Sequence, residues 1–145
     1  MIALLQRVSQ ARIDIDGETV GCIQRGLLVL VGIERGDDRS NADRLLSRLL
    51  GYRVFPDSEG RMNLSLTQIA GGLLLVPQFT LVADTRKGTR PSFSCAASPA
   101  QGRQLFEYLL AQAHLGYASV AAGVFGADMQ VTLTNDGPVT FTLHA

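Results

Sequence analysis

The run "GLLVLVGI", residues 26–33, has no polar side chain and is rich in β-branched residues. A run this short reads as a strand buried on both faces. Upstream, Ile2 to Val8 reads as a first strand. "ARIDIDGETVGCI", residues 11–23, reads as a hairpin in which Ile13 and Ile15 alternate before an Asp16-Gly17 turn. Downstream, a helix is predicted to begin near Ser40. Ala42, Leu45, Leu46 and Leu49 follow the helical period, and Ser40 with Asp43 resembles a capping box. "YRVF", residues 52–55, reads as a brief strand and "PDSEG", residues 56–60, as a turn. "GGLLLVPQFTLV", residues 71–82, reads as a second buried strand running into a long segment, "ADTRKGTRPSFSCAASP". A second helix follows, with Ser98 as cap, Pro99 at its first position and Gln101 closing a capping box. Leu105, Phe106, Leu109, Leu110 and Ala113 form its buried face, and Gly116 is its stop. The pattern is mixed α/β with strands in the majority.

The end of the chain, "VTLTNDGPVTFTLHA", residues 131–145, poses a question. Val131 to Thr134 and Val139 to Leu143 alternate apolar and polar, as half-buried strands do. Asn135 to Pro138 between them reads as a hairpin turn. Yet Pro138 lacks a backbone donor where the second strand would begin pairing.

At 145 residues, with 46% hydrophobic content, the chain reads as one compact domain over residues 1–145, and disorder is excluded. No repeat, low-complexity tract or linker interrupts it. Thirteen basic residues balance thirteen acidic ones, so no global basic field announces nucleic acid, and no DNA partner is expected. Cys22 and Cys95 are too few and too far apart for a disulfide framework or a zinc site. No basic-then-apolar leader opens the chain and no apolar run reaches membrane length, so a soluble, cytoplasmic protein is expected.

The usual catalytic motifs are missing. There is no Gly-x-Ser-x-Gly elbow, P-loop or dinucleotide fingerprint. His114 falls at a helix end and His144 is penultimate, neither with a partner at metal-ligand spacing. Asp84 and Asp136 sit in turn-like contexts, where capping is the common role. No metal or cofactor is expected. Two features stand out. In "DTRKGTRPSFS", Arg86, Lys87 and Arg90 face one Asp84 with Phe93 just beyond, a composition that suits solvated surface or phosphates and a stacked base. In "PQFTL", Gln78 and Thr80 are polar residues in a strand otherwise read as buried, which costs free energy unless they are paired.

Taken in order, "LQRVSQARIDIDGETVG", "GLLVLVGI", "YRVFPDSEGRMNLSL", "LLLVPQFTLVADTRKGTRPSFS" and "VTLTNDGPVT" resemble the D-aminoacyl-tRNA deacylases over essentially the whole chain. Two motifs are specific. Pro77 to Leu81 is similar to the family's Ser-Gln-x-Thr-Leu motif, and Asn135 to Thr140 to its Asn-x-Gly-Pro-x-Thr motif. The resemblance implies a β-rich α/β fold, a barrel-like curled sheet with two main helices packed outside. It implies a homodimer that hydrolyses the ester joining a D-amino acid to the 3′ end of tRNA. Glycyl-tRNA is implied as a second substrate, because glycine has no side chain to reject.

Further roles follow from the resemblance. The Gly137-Pro138 bond is implied to be cis and to enter the partner's pocket, where its carbonyls leave no room for an L side chain. Arg7 is implied to hold that motif in orientation. Thr80 matches a proposed nucleophile, but a threonine hydroxyl is weak without a base and the chain offers none. The family's other route uses the 2′-hydroxyl of the terminal adenosine, with N–H groups near Phe79 as oxyanion donors. Thr80 then positions water or substrate and Gln78 helps hold the adenosine. Arg86, Lys87 and Arg90 are implied to bind tRNA. Pro77 departs from the family's serine, and a sister family with an L-facing trans Gly-Pro also carries proline there. Two alternatives stand beside this reading: a non-catalytic tRNA-end or RNA-binding module, and a small-molecule D-amino acid esterase.

Overall fold

The computed structural model describes residues 1–145. The residues 26–33 run forms a strand, β3 (Gly26–Gly32), at the centre of the sheet. Before it come β1 (Ile2–Ile15) and β2 (Glu18–Ile23). After it come α1 (Arg39–Gly51), a small pair β4 (Phe55–Pro56) and β5 (Met62–Leu64), and β6 (Gly72–Pro77). A 3-10 turn (Phe79–Val82), α2 (Pro99–Gly116), β7 (Val120–Ala122) and β8 (Gln130–His144) complete the chain.

β3 pairs antiparallel with β1 and parallel with β6, from Gly26↔Gly72 to Val31↔Pro77. β7 adds parallel to β6. The parallel pairing needs a crossover, which α1 supplies. β2 folds back on the far half of β1 through Asp16 and Gly17, both at positive φ as a tight two-residue hairpin requires. It then approaches β7: a Cβ on Gly21 would stand 3.0 Å from the Ala122 carbonyl oxygen. The sheet thereby curls into a nearly closed barrel, with the two α-helices outside, as expected.

β3 is buried on both faces because its alternation serves two clusters. Leu27, Val29 and Val31 join Leu73 and Leu75 under the apolar faces of α1 and α2. Leu28 joins Val8, Ala11, Ile13, Ile23, Leu74 and Val76 inside the curl. Each fully buried Leu or Val contributes about 1.5–3 kcal/mol, so these clusters, more than surface ion pairs, hold the frame that positions the site.

Several local expectations are corrected. β1 is one strand from Ile2 to Ile15, not a first strand and then a separate hairpin arm, because β8 pairs along its length. The cap of α1 is Asp38, not Ser40. Its carboxylate accepts from the Ser40 and Asn41 N–H groups at 2.8 and 3.2 Å, and Asn41 closes the box by accepting from Asp38 N–H. Ser98 does cap α2 behind Pro99, but the Gln101 amide turns away to the carbonyls of Arg35 and Asp37. Leu110 is only half-buried. Of "YRVF", only Phe55 enters a strand. β7 has no counterpart in the pattern read from the sequence.

The largest correction concerns residues 131–145. There is no hairpin: both halves of β8 pair antiparallel with β1. Asn135 pairs with Val8 and Thr140 with Gln6, so Asp136 to Val139 stand opposite Arg7 alone and bulge out of the ladder. Proline fits there because a bulged residue owes the ladder no hydrogen bond.

Candidate active site

β6 ends at Pro77, earlier than residues 71–82 suggested. The chain then tightens into the 3-10 turn, so Gln78 is half-buried and Phe79 and Thr80 are exposed, not buried in a strand. The burial cost inferred for Gln78 and Thr80 does not arise. Gln78 N–H donates to the Val31 carbonyl at 2.8 Å, which fixes the turn to the end of β3. Packing of Val82 and Leu81 over Gly32 keeps the turn close, since a Cβ on Gly32 would stand 2.7 Å from Val82 Cγ1.

A cavity of about 250 Å³ opens at the C-terminal ends of the parallel strands β3 and β6, the usual place for ligands in such sheets. Pro77, Gln78 and Phe79 form one wall. Ala97, Ser98 and Pro99 at the start of α2 form another, and Phe125 closes the floor against Gly102. No ionisable side chain lines it. Beside it the Gln78 carboxamide donates to the Thr80 hydroxyl, the one hydrogen bond that oxygen makes. Because the oxygen accepts, its own proton is free to point outward. Gln78 therefore orients Thr80.

Arg7, Gly137 and Pro138 form a second cluster, away from this cavity; no residue of β8 lines it. Arg7, 9% exposed, donates through Nε to the Asp136 carbonyl at 2.9 Å and through Nη1 to the Val54 carbonyl at 2.7 Å. Its Nε also lies 3.2 Å from the Asp136 carboxylate. The Gly137-Pro138 bond is cis, and both residues are exposed. Gly137 has φ +136°, where an L side chain is strained, and a Cβ there would crowd Val139 Cγ2 at 2.7 Å and Arg7 Nη2 at 3.0 Å, so glycine is favoured. Asn135 enters the sequence reading only as part of a motif, yet its carboxamide spans the bulge. Oδ1 accepts from Val139 N–H at 2.8 Å, and Nδ2 donates to Thr140 Oγ1 at 2.9 Å.

The basic loop forms a third cluster. Asp84 and Ser92 exchange backbone hydrogen bonds at 2.8 and 3.0 Å and pinch it closed. Asp84, Arg86, Lys87, Arg90 and Ser92 line an open depression of about 480 Å³. The three cations are not equivalent. Arg86 meets Asp84 with two guanidinium nitrogens, at 2.9 and 2.7 Å, and these bonds hold the carboxyl well below the usual carboxylate range. Lys87 and Arg90 have no partner. On the expectation that this loop binds tRNA, Lys87→Ala and Arg90→Ala should each weaken that binding. Each should also flatten its log–log salt dependence by about 0.7 for every single-strand phosphate left without its cation. Arg86→Ala should loosen the loop with a smaller change in slope. Filter-binding titrations at several salt concentrations check this, and unchanged slopes for both unpaired cations would count against it.

Phe125 is the lining residue that the sequence did not signal. It lies between Val124 and Gly126 with no periodicity to mark it. No three His, Cys, Asp or Glu side chains converge to hold a metal ion.

The family model described as D-Tyr-tRNA(Tyr) deacylase matches residues 4–144. The D-aminoacyl-tRNA deacylase of Nitrosococcus oceani is 66% identical over 99% of this chain and 93% of its own length. That of Pseudomonas putida strain KT2440 is 64% identical over 99% of both chains. The solved structure of the c-Myc DNA Unwinding Element Binding Protein superimposes with a TM-score of 0.95 at 34% identity, covering 100% of this chain and 99% of the other. A probable eukaryotic D-amino acid tRNA deacylase has the same fold, with a TM-score of 0.84 at 17% identity over 99% and 98% of the two chains. Fold and comparisons together define an enzyme, a hydrolase of the aminoacyl-tRNA deacylase class. The chain belongs to the D-Tyr-tRNA(Tyr) deacylase family.

Proposed function

We propose that the protein removes D-amino acids from tRNA by substrate-assisted hydrolysis, and that it does so as a homodimer whose two Gly137-Pro138 bulges each complete the other subunit's cavity. The observation that carries the chemistry is a cavity without one ionisable side chain. The residues can position an ester but cannot take a proton from water. The vicinal 2′-hydroxyl of the terminal adenosine can activate a water molecule. The water oxygen bonds to the ester carbonyl carbon, the bond from that carbon to the 3′ oxygen breaks, and the water's proton ends on the 3′ oxygen. N–H groups at the start of the 3-10 turn, near Phe79, hydrogen-bond the developing oxyanion, and an aminoacyl ester, already activated, needs little more. Thr80, with its proton free, donates to substrate or water.

The dimer accounts for selectivity. The cavity has an open side, and the bulge that would close it belongs to a strand with one unpaired edge, since β8 pairs only β1. Main-chain carbonyls of the partner's bulge stand where an L side chain would go. A wall of backbone reads no side chain, so glycyl-tRNA passes as well. Arg86, Lys87 and Arg90 are read as the cations that meet the phosphates of the acceptor strand. Pro77 replaces the family's serine, so the mechanism draws on no hydroxyl there.

Incubation with matched D- and L-tyrosyl-tRNA tests the reading. The D-substrate and glycyl-tRNA should be hydrolysed and the L-substrate left intact, with no loss of rate in a chelator. Equal rates on the two enantiomers would overturn it. Binding without turnover would indicate a tRNA-end binding module, and hydrolysis of simple D-amino acid esters without RNA a small-molecule esterase. No helix is long and apolar enough to cross a membrane.

A further inference from the structure

We infer that Phe79 and Phe93 form a second nucleotide subsite, a stacking platform for the base that precedes the terminal adenosine. The inference rests on reading the cavity as the place of the terminal aminoacyl-nucleoside. Phe79 is 60% exposed and Phe93 40%, yet their rings touch, with centroids 5.2 Å apart and planes inclined by 52°. Single exposed apolar residues need no explanation. Two aromatic rings paired in the open, between a cavity and a basic depression, are a different matter.

The order of the features is what identifies the occupant. Phe79 lines the cavity, whereas Phe93 lies outside it. Ser92, the next residue, lines the depression that holds Lys87 and Arg90. From the cavity, contact passes through Phe79 to Phe93, and from Phe93 through its chain neighbour Ser92 to the depression with its two unpaired cations. Single-stranded nucleic acid presents the same alternation of base and phosphate. Once the terminal nucleoside fills the cavity, its 5′ phosphate and the preceding base emerge at this rim. An inclined ring pair leaves the outer ring faces free, and a base can stack on them whatever its hydrogen-bonding edge. In tRNA that base is a cytosine.

Amide-linked analogues that cannot be hydrolysed separate this subsite from the cavity. Three are compared by calorimetry: 3′-(D-tyrosylamino)adenosine, the same extended by a 5′ cytidylyl group, and the same extended by an abasic ribose phosphate. The cytidylyl analogue should bind the unaltered protein about tenfold more tightly than the abasic one, a typical stacking increment. In Phe93→Ala that increment should vanish, while Phe93→Tyr should keep it. The analogue with adenosine alone should bind all three proteins alike. Equal affinity for the cytidylyl and abasic analogues, or an increment that survives Phe93→Ala, would overturn the subsite. So would sedimentation of Phe93→Ala as a monomer where the unaltered protein is a dimer, which would assign the rings to subunit contact. If none of the three analogues binds, the reading of the cavity itself fails and the subsite falls with it.

Discussion

A substrate ending in 2′-deoxyadenosine is expected to be hydrolysed about 10²–10⁴-fold more slowly than its ribose counterpart, the range for loss of a positioned acid–base group. The cavity supplies no group to replace it, since its lining is apolar apart from Gln78 and Ser98, and neither titrates. Thr80→Ala should be far milder. The residue makes one side-chain hydrogen bond, to Gln78, and losing one neutral bond to substrate corresponds to about 1 kcal/mol, some fivefold in rate. Single-turnover rates on both substrates with both proteins form the complete test. If Thr80 were the nucleophile, Thr80→Ala would abolish turnover, an acyl ester on Thr80 could be trapped, and the deoxy substrate would react at nearly full rate.

Arg7→Ala should act on selectivity and stability together. Arg7 joins two strands, β1 by its own backbone and β8 through the Asp136 carbonyl, to the Val54 carbonyl just before β4. Removing the guanidinium leaves the Val54 carbonyl without that donor, and a buried unsatisfied group costs about 1–3 kcal/mol. The Asp136 carboxylate is nearly half exposed, so water compensates for most of its loss. The bulge then loses its support, and misplacement by about 1 Å at a reacting centre can cost about 10²-fold. The ratio of D- to L-tyrosyl-tRNA hydrolysis should therefore fall by about that factor. Arg7→Lys should recover part of the stability but little selectivity, because one ammonium cannot hold two carbonyls with a planar fork. Unchanged selectivity in Arg7→Ala, with the expected loss of thermal stability, would remove the bulge from the selectivity mechanism.

The helices and the buried strands were legible because their signals are local. Ala42, Leu45, Leu46 and Leu49 follow the helical period, and all four are buried. The capping of α2 by Ser98, with Pro99 behind it, was legible for the same reason. Where two local solutions competed, the reading erred. Asp38 and Ser40 both suit a cap, and Asp38 prevailed because Asn41 could return the bond to its N–H group.

Residues 131–145 show the other limit. Asp136 and Gly137 are good turn residues, and nothing within the segment distinguishes a hairpin from one strand with a bulge. The choice depends on β1, whose continuous edge from Ile2 to Asp14 pairs with both halves of β8. Likewise Asp84 stands close in the chain to both Arg86 and Lys87, and only the folded loop decides that Arg86 takes it, through two side-chain bonds.

By itself, then, the sequence determined the two helices, the strands that must be covered on both faces, and the family, because periodicity, capping and motif order are properties of neighbouring residues. Tertiary structure alone decided that Asp136 to Val139 bulge against Arg7, that Thr80 is held by Gln78 at a cavity without titratable groups, and that Phe93 meets Phe79. Those are contacts between segments distant in the chain or turned by the fold, and their energies depend on register and burial that no local pattern contains.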